Sequence, residues 1–354
     1  MKTERAARVG LVLGAGGVLG GAWMAGALHA LSDLTRWYPR HAERIVGTSA
    51  GSVLAALGGA GVPPWLLIPD AAAGIYHGRI DETGALELSS DLWVRIVRRN
   101  RLGLPRLRPG SMPMLVGALR TPTAYALLKI VSGLAPAGSI STEPIKETVR
   151  WIAPAGWVDH QSCWIVACDY QTGERVVFGR EGAPQPNIAD AVAASCAIPG
   201  FYRPEVIEGR EYVDGGVHSM TNADLLSGLG LDAVVVLSPL SSRQRVRGWN
   251  ILNRFTDVTR RLVAPLVDAE VKLLQDQGTQ VLLLEPMAAD LIAIGGNLMD
   301  DTRRGQVMRT AMQTTAERLA EKDAEAVLSA LQPGAAPAPP AKGQLKPAFK
   351  PATP

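Results

Sequence analysis

The sequence predicts an α/β fold in which a central, mainly parallel sheet lies between two layers of helices. Short and almost wholly apolar runs are typical of strands buried on both faces. Five such runs occur, at Val9–Leu13, Trp164–Ala167, Val176–Phe178, Ala233–Leu237 and Val281–Leu284. Helical stretches separate most of them, and this alternation favours parallel strands joined by crossover helices. With 354 residues and 47% hydrophobic content, the chain can bury one large core.

A turn within this pattern predicts one antiparallel pair, so we expect a mixed sheet. Residues 169–175 read Asp-Tyr-Gln-Thr-Gly-Glu-Arg between two strand runs, which is typical of a hairpin. A helical stretch at 305–331 is expected to close the domain, which we place at residues 1–332. Residues 333–354 are dominated by Pro, Ala and Lys and contain no acidic residue, which predicts a disordered tail.

A glycine-rich loop follows the first predicted strand. Residues 14–21 read Gly-Ala-Gly-Gly-Val-Leu-Gly-Gly, and a helical stretch follows at 22–31. Such a loop can turn its N–H groups toward an anion, either the pyrophosphate of a dinucleotide or the oxyanion of an acyl-transfer reaction. Leu19 stands where the dinucleotide fingerprint has its third glycine. No Lys-Ser or Lys-Thr pair follows the glycines, so a Walker loop is excluded.

A serine between two glycines lies where a second strand meets a second helix. Residues 47–51 read Gly-Thr-Ser-Ala-Gly, after a short strand at 43–46 and before a helix that begins at Ser49 and continues to Leu57. This is the sequence form of a nucleophile elbow. The turn strains the serine backbone, and side chains at Gly47 or Gly51 would strike neighbouring elements. The hydroxyl is then exposed at a helix N-terminus, which favours negative charge.

Two further motifs complete a recognisable set. Residues 193–201 read Ala-Ala-Ser-Cys-Ala-Ile-Pro-Gly-Phe, and residues 212–216 read Tyr-Val-Asp-Gly-Gly. Together with the glycine loop and the Gly-x-Ser-x-Gly elbow, they stand in the order found in the patatin-like phospholipase family. The chain therefore resembles that family across residues 9–216, and four ordered motifs are far more specific than one.

The resemblance implies a patatin-like fold and a serine acyl-hydrolase that cleaves carboxylic esters of lipids, in particular glycerophospholipids. It implies Ser49 as nucleophile and Asp214 as the second member of a Ser-Asp dyad. The implied oxyanion donors lie in the glycine loop, at Gly14, Gly16, Gly17 and Val18. The residues implied to support the elbow and the dyad are Gly47, Gly51, Gly215 and Gly216. No metal or cofactor is implied, and the expected partner is a lipid or phospholipid substrate.

The general base needs an explanation, because an aspartate with an unperturbed pKa near 3.9 is a weak base. A dyad would require Asp214 within hydrogen-bond reach of Ser49, with the oxyanion hole supplying much of the stabilisation. His218, four residues after Asp214, is the alternative third member, although a surface role also explains it. The serine comes too early in the chain for an ordinary α/β-hydrolase, which favours the patatin-like interpretation.

Two positions depart from the family pattern. Many members carry Arg or Lys where this chain has Leu19. The missing charge is expected to affect substrate recognition more than activity, because the main-chain N–H groups remain. After the Asp-Gly-Gly motif the family often continues into Asn-x-Pro, whereas residues 217–223 here read Val-His-Ser-Met-Thr-Asn-Ala. Asn222 can keep the structural role of that segment without its proline.

An insertion at about 65–142 separates the elbow from the later motifs and is strongly basic. Between residues 92 and 142 there are seven arginines, one lysine and no acidic residue, whereas the whole chain has a net charge of +3. Apolar residues interleave with these cations, a combination that suits peripheral contact with an anionic membrane or a lid over the site. A solvated basic surface explains the charge equally well. So many aliphatic residues fit nucleic-acid binding poorly, and we expect no nucleic-acid partner.

Neither the N-terminus nor the cysteines predict export. The uncharged run at 9–32 imitates a signal peptide, but seven glycines between residues 10 and 26 argue against a continuous helix. We therefore expect a cytoplasmic protein with no transmembrane helix and peripheral membrane contact at most. Cys163, Cys168 and Cys196 lack metal-ligand spacing and are expected to be buried thiols, with the first two on opposite faces of one strand.

Two alternatives to the hydrolase remain at the level of sequence. A dinucleotide-binding protein could use the same glycine loop, and a catalytically silent lipid-binding protein could share the fold. Intact Ser49 and Asp214 count against the silent protein. The sequence predicts no oligomeric state.

Overall fold

The computed structural model describes residues 5–64, 111, 130, 132–134, 138–154, 156–160, 162–244, 246 and 251–334. Most of the predicted insertion at 65–142 and nearly all of the predicted tail at 333–354 lie outside these residues. The expected membrane contact of residues 92–142 therefore stays a prediction.

An eight-stranded sheet forms the centre of the described part of the chain, and it is mixed as the sequence predicts. Two of its strands, Glu205–Ile207 and Arg210–Asp214, were not among the predicted runs. The strands are β1 (Val9–Leu13), β2 (Arg44–Thr48), β3 (Cys163–Asp169), β4 (Arg175–Phe178), β5 (Glu205–Ile207), β6 (Arg210–Asp214), β7 (Ala233–Leu237) and β8 (Gln280–Leu284). Their order is β5-β6-β3-β2-β1-β7-β8, with β4 pairing β3. The five neighbouring strands β3, β2, β1, β7 and β8 are parallel to one another. The pairs β3–β4, β3–β6 and β5–β6 are antiparallel.

Strand β3 brings two other strands end to end. β4 occupies one edge of β3, so β2 and β6 share the other edge, because a strand has only two. Thr48, the last residue of β2, lies opposite Val166, and Asp214, the last residue of β6, lies opposite Ala167. Since Val166 and Ala167 are consecutive, the ends of β2 and β6 meet at one point.

Helices cover both faces of the sheet and form three layers. They are α1 (Gly17–Thr35), α2 (Ala50–Gly59), α3 (Glu143–Ile152), α4 (Ile188–Ser195), α5 (Ile251–Gln275), α6 (Ala288–Ile294), α7 (Arg304–Leu319) and α8 (Glu325–Ala330). The main core lies between one face of the sheet and α1, α2, α3, α4, α6, α7 and α8. A second core on the opposite face includes Val12, Val46 and Leu274 of α5. Alternation along each strand sends successive side chains to the two cores.

The observed elements extend beyond several predicted ones. The first helix begins at Gly17, five residues before the predicted stretch, and Gly20 in its first turn lies close to Pro239. The predicted helix at 305–331 is two helices joined by a 3₁₀ turn at Lys322–Ala324. This break turns the chain so that Val327 and Leu331 are buried in the main core. Within the residues that the structure describes, no helix combines the length and apolar character needed to cross a membrane.

Candidate active site

Ser49 lies at the sharp turn between β2 and α2. Its backbone has φ 54° and ψ −123°, a conformation that non-glycine residues rarely adopt and that costs on the order of 1–3 kcal/mol. The residue precedes the first turn of α2, where N–H groups lack intrahelical acceptors and favour negative charge. The side chain therefore stands at a strained position that the surrounding structure must hold in place.

Hydrogen bonds from three side chains fix the backbone of Ser49. Its N–H donates to the Ser195 hydroxyl over 2.9 Å, and that hydroxyl donates to the Val166 carbonyl over 2.6 Å. The Ser49 carbonyl accepts from the Ser52 hydroxyl at 2.6 Å and from the Cys196 thiol at 3.3 Å. Both backbone polar groups of Ser49, its N–H and its carbonyl, thus have hydrogen-bond partners in a buried setting, which stabilises the strained turn.

Ser195→Ala is expected to loosen the elbow, because it leaves the buried Ser49 N–H without its acceptor. An unsatisfied buried donor costs about 1–3 kcal/mol, so the midpoint of thermal unfolding should fall. Labelling of Ser49, the predicted nucleophile, by a fluorophosphonate probe should also become slower, because its backbone is held less firmly. Calorimetry and probe kinetics check the two effects. Unchanged values of both would show that the Ser195 hydroxyl does not support the turn.

Glycine is required at three of the predicted support positions for steric reasons. A Cβ at Gly51 would lie 2.0 Å from the carbonyl oxygen of Leu13, so α2 could not approach β1. A Cβ at Gly47 would lie 2.7 Å from the backbone oxygen of Gly51. A Cβ at Gly215 would lie 2.4 Å from the carbonyl oxygen of Val166. These contacts allow the elbow, the first strand and the turn after Asp214 to converge.

Asp214 ends β6 and faces Ser49. The Ser49 hydroxyl acts toward it as a hydrogen-bond donor, and the Gly216 N–H donates to Oδ1 over 2.7 Å. Burial raises the pKa of Asp214 from its ordinary value to about 7, and the two hydrogen bonds oppose that rise. A carboxyl group with this pKa is a far better proton acceptor than an ordinary aspartate.

Histidines do not take part in the interactions that set the Asp214 pKa in the described part of the chain. The described groups that shift this pKa are Ser49 and Gly216, apart from burial itself. His218, the alternative triad member, is half-buried at the end of the 3₁₀ turn Gly215–Val217, and its N–H donates to the Gly215 carbonyl. Among the described side chains, Ser49 is therefore the one whose interaction acts on the Asp214 carboxyl.

The glycine loop connects β1 to α1 beside this pair, but Gly14 does not match the predicted donor role. The Gly14 N–H donates to the Leu237 carbonyl over 3.0 Å, so it is not available to an oxyanion. Strand β7 takes this group because the parallel ladder continues one residue past β1. The N–H groups of Gly16, Gly17 and Val18 donate to no group among the described residues. As donors around the first turn of a helix, they can receive a developing negative charge.

A loop after α6 flanks the same helix N-terminus, and none of the sequence motifs includes it. The Leu298 carbonyl accepts from the Leu19 N–H over 2.9 Å, which leaves the three preceding N–H groups as the free donors. A Cβ at Gly17 would lie 3.3 Å from Cβ of Leu298 and 3.3 Å from Sδ of Met299. The Leu19 side chain is wholly buried in the main core, where the family pattern often has a cation. The neighbours of the loop are thus apolar.

The cysteines and possible metal ligands are the remaining features that the sequence singled out. All three cysteines are described, and each is a buried free thiol; Cys163 and Cys168 belong to different cores on opposite faces of β3. Burial raises the pKa of the Cys196 thiol, and the nearby Asp214 carboxyl adds to the rise. Among the described residues, no group of three or more His, Cys, Asp or Glu side chains could hold a metal ion.

Comparisons with known proteins place this site in a family. A model of the patatin-like phospholipase family matches residues 11–227, which is more than half of the chain and includes Ser49 and Asp214. Among solved structures, VipD from Legionella pneumophila is 12% identical with a TM-score of 0.40, covering 89% of this chain and 67% of VipD. The type III effector protein ExoU is 16% identical with a TM-score of 0.34, covering 90% of this chain and 54% of ExoU. The chain thus spans only about half of ExoU, and the family model is the basis of the assignment. This chain belongs to the patatin-like phospholipase family.

Proposed function

We propose that this protein hydrolyses carboxylic ester bonds of lipids, with glycerophospholipids as the substrate class, through a Ser49–Asp214 dyad. One observation carries the proposal. A serine held in a strained elbow donates toward a buried aspartate whose pKa is raised to about 7. Serine hydroxyls are poor nucleophiles until a neighbouring base accepts their proton, and this geometry supplies such a base. No metal or cofactor takes part in the proposed reaction.

In the first half of the reaction, Ser49 Oγ attacks the ester carbonyl carbon and its proton passes to Asp214. The carbonyl oxygen becomes an oxyanion, for which Gly16, Gly17 and Val18 offer N–H donors. Removing a single donor of this kind costs about 10²–10³-fold in rate in well-studied hydrolases. The intermediate then collapses, Asp214 returns the proton to the leaving alcohol, and the acyl group stays bound to Ser49.

In the second half, water replaces the alcohol. Asp214 removes a proton from this water, which attacks the acyl carbon on Ser49, and the same oxyanion donors stabilise the second intermediate. Collapse releases the fatty acid and returns the proton to Ser49 Oγ. One carboxyl group thus acts as base and as acid in each half, which a pKa near 7 permits at neutral pH.

The pH dependence of hydrolysis follows from the raised pKa of Asp214. Only the ionised carboxylate can accept the serine proton, so kcat/KM is expected to rise about tenfold per pH unit below pH 7 and to level off above it. Initial rates on p-nitrophenyl butyrate between pH 5 and pH 9 measure this curve. A plateau extending down to pH 5 would mean that the base has an ordinary aspartate pKa.

The experiment that tests the proposed activity is release of fatty acid from phosphatidylcholine in mixed micelles by wild type and Ser49→Ala protein. Release by wild type alone supports the assignment, and equal release by both would contradict it.

Repeating the assay on vesicles with and without phosphatidylglycerol tests the proposed peripheral contact of residues 92–142 with anionic lipid. Faster turnover on the anionic vesicles supports that contact.

A further inference from the structure

We infer that Glu270 of α5 is a positioning residue for the proposed hydrolysis, because it holds the segment Ser219–Ala223 against all three parts of the catalytic site. This inference rests on the proposed function. Glu270 lies outside residues 11–227, which the family model covers. It is 3% exposed, although it is an acidic side chain, and it lies near the C-terminal end of the long helix α5. A carboxylate is rarely buried to this degree unless it is paired or fully hydrogen-bonded.

Three donors from one short segment converge on this carboxylate. The Ser219 hydroxyl donates to Oε1 over 2.5 Å, and the Ala223 N–H donates to Oε2 over 2.9 Å. The Thr221 hydroxyl also donates to Oε2. Glu270 thereby fixes both ends and the middle of the segment. It does so from α5, which packs on the face of the sheet opposite the main core.

The same segment contacts each proposed catalytic element, through Ser219 and through Met220 and Asn222, the two residues between the anchors. The Met220 carbonyl accepts from the Ala15 N–H over 2.7 Å, which fixes the glycine loop. The Asn222 amide donates to the Thr48 hydroxyl over 3.1 Å, directly before Ser49. The Ser219 N–H donates to the Gly215 carbonyl over 3.2 Å, directly after Asp214. Nucleophile, base and oxyanion loop are therefore connected through one segment.

The hydrogen-bond pattern requires an acceptor at both carboxylate oxygens. The Ser219 oxygen already accepts from the Thr221 and Asn222 N–H groups, so its own proton must go to Glu270. The Ala223 N–H can only donate. A glutamine at position 270 would place an NH₂ group opposite one of these donors, whichever way its amide is turned. Glu270→Gln therefore keeps the volume of the side chain and breaks one side of the clamp.

Loss of this clamp should affect the reaction more than substrate binding. A shift of about 1 Å in the relative positions of catalytic groups can cost about 10²-fold in rate. We expect Glu270→Gln to lower kcat on p-nitrophenyl butyrate by roughly 10- to 100-fold with KM changed less than about threefold, on the same basis. The rate constant for fluorophosphonate labelling should fall by the same factor, because the probe reports the alignment of the serine and its base.

The matched control is Asp268→Asn, which removes a carboxylate from the same helix two residues away. Asp268 is exposed and pairs with Arg243 rather than with the segment. The Asp268→Asn variant should keep the wild-type kcat and labelling rate.

A second test uses Thr221→Val, which removes one donor and is expected to lower kcat severalfold. Combined with Glu270→Gln it should add little, since groups that act as one unit are not additive.

Rates are compared well below the unfolding midpoint of each variant and per folded molecule, so that lost stability does not imitate lost activity. Wild-type kcat and labelling in folded Glu270→Gln would overturn the inference and leave the proposed function intact. If this variant does not fold, Thr221→Val decides, because wild-type kcat in that variant would likewise overturn the inference. Absence of labelling in wild type would instead contradict the proposed function itself.

Discussion

Ser49→Ala is expected to lower ester hydrolysis by at least about 10⁴-fold and to abolish fluorophosphonate labelling, as is typical when a catalytic serine is removed. The physical reason is that, in the proposed mechanism, the acyl-enzyme forms on the Ser49 hydroxyl, which alanine lacks. The fold should be retained, because alanine keeps the Cβ and the backbone hydrogen bonds to Ser195 and Ser52 do not involve the Ser49 hydroxyl. Rates are measured on p-nitrophenyl butyrate and on phosphatidylcholine.

A matched control for this substitution is Ser329→Ala, which deletes an exposed hydroxyl that donates to the carbonyl of Ala326 in its own helix α8. Wild-type activity of the control, together with an unchanged unfolding midpoint of Ser49→Ala, assigns the loss to chemistry. Substantial turnover by folded Ser49→Ala would show that another group is the nucleophile.

Asp214→Asn is expected to produce two effects of opposite sign. The amide cannot accept the serine proton, so hydrolysis should fall by at least about 10³-fold, the order seen when a general base is removed. The folded protein should nevertheless become more stable at neutral and alkaline pH. Wild type must bury an ionised carboxylate there, and the neutral amide avoids that cost.

The pH window of the stability effect follows from the same pKa. Between about pH 4 and pH 7 the folded protein keeps a proton on Asp214 that the unfolded chain has released, since its pKa is 3.8 unfolded and about 7 folded. Wild-type stability therefore falls as pH rises through this window, by about 1.4 kcal/mol per pH unit at most, and is then constant. Asp214→Asn lacks this loss, so the difference in unfolding free energy should grow from pH 4 to pH 7.

Denaturant unfolding of both proteins at several pH values measures this difference. The control is Asp276→Asn, which removes an exposed carboxylate just beyond the end of α5. Its effect should be small at every pH. A stability difference between wild type and Asp214→Asn that does not change with pH would contradict the raised pKa and, with it, the proposed general base.

Motifs in the sequence marked the three turns of the site and the strands before two of them, whereas β5 and β6 were not among the predicted strands. The elbow, the glycine loop and the Asp-Gly-Gly turn follow strands β2, β1 and β6, so local patterns marked each of them. The antiparallel hairpin at 169–175 was also readable, because glycine and polar residues separate two apolar runs. The meeting of β2 and β6 end to end could not be predicted, since it depends on the register of both strands along β3.

Features that depend on tertiary contacts could not be predicted from the sequence. Gly14 has the composition of an oxyanion donor, but its N–H is taken by the carbonyl of Leu237 in β7, 223 residues later. Ser195 was visible within a family motif without a role, and only the structure shows that it accepts from the Ser49 N–H. Glu270 resembles any acidic residue on an amphipathic helix. Its burial and its three donors become apparent only when α5 packs on the segment Ser219–Ala223.

The most direct test of the central claim is to label wild-type protein with a fluorophosphonate at pH 8 and to locate the adduct by peptide mass spectrometry. The proposed dyad predicts a single stoichiometric adduct on Ser49, formed at least about 10³-fold more slowly by Asp214→Asn, because the unassisted hydroxyl is a poor nucleophile. An adduct on a different residue, or equal labelling rates in the two proteins, would contradict the Ser49–Asp214 dyad.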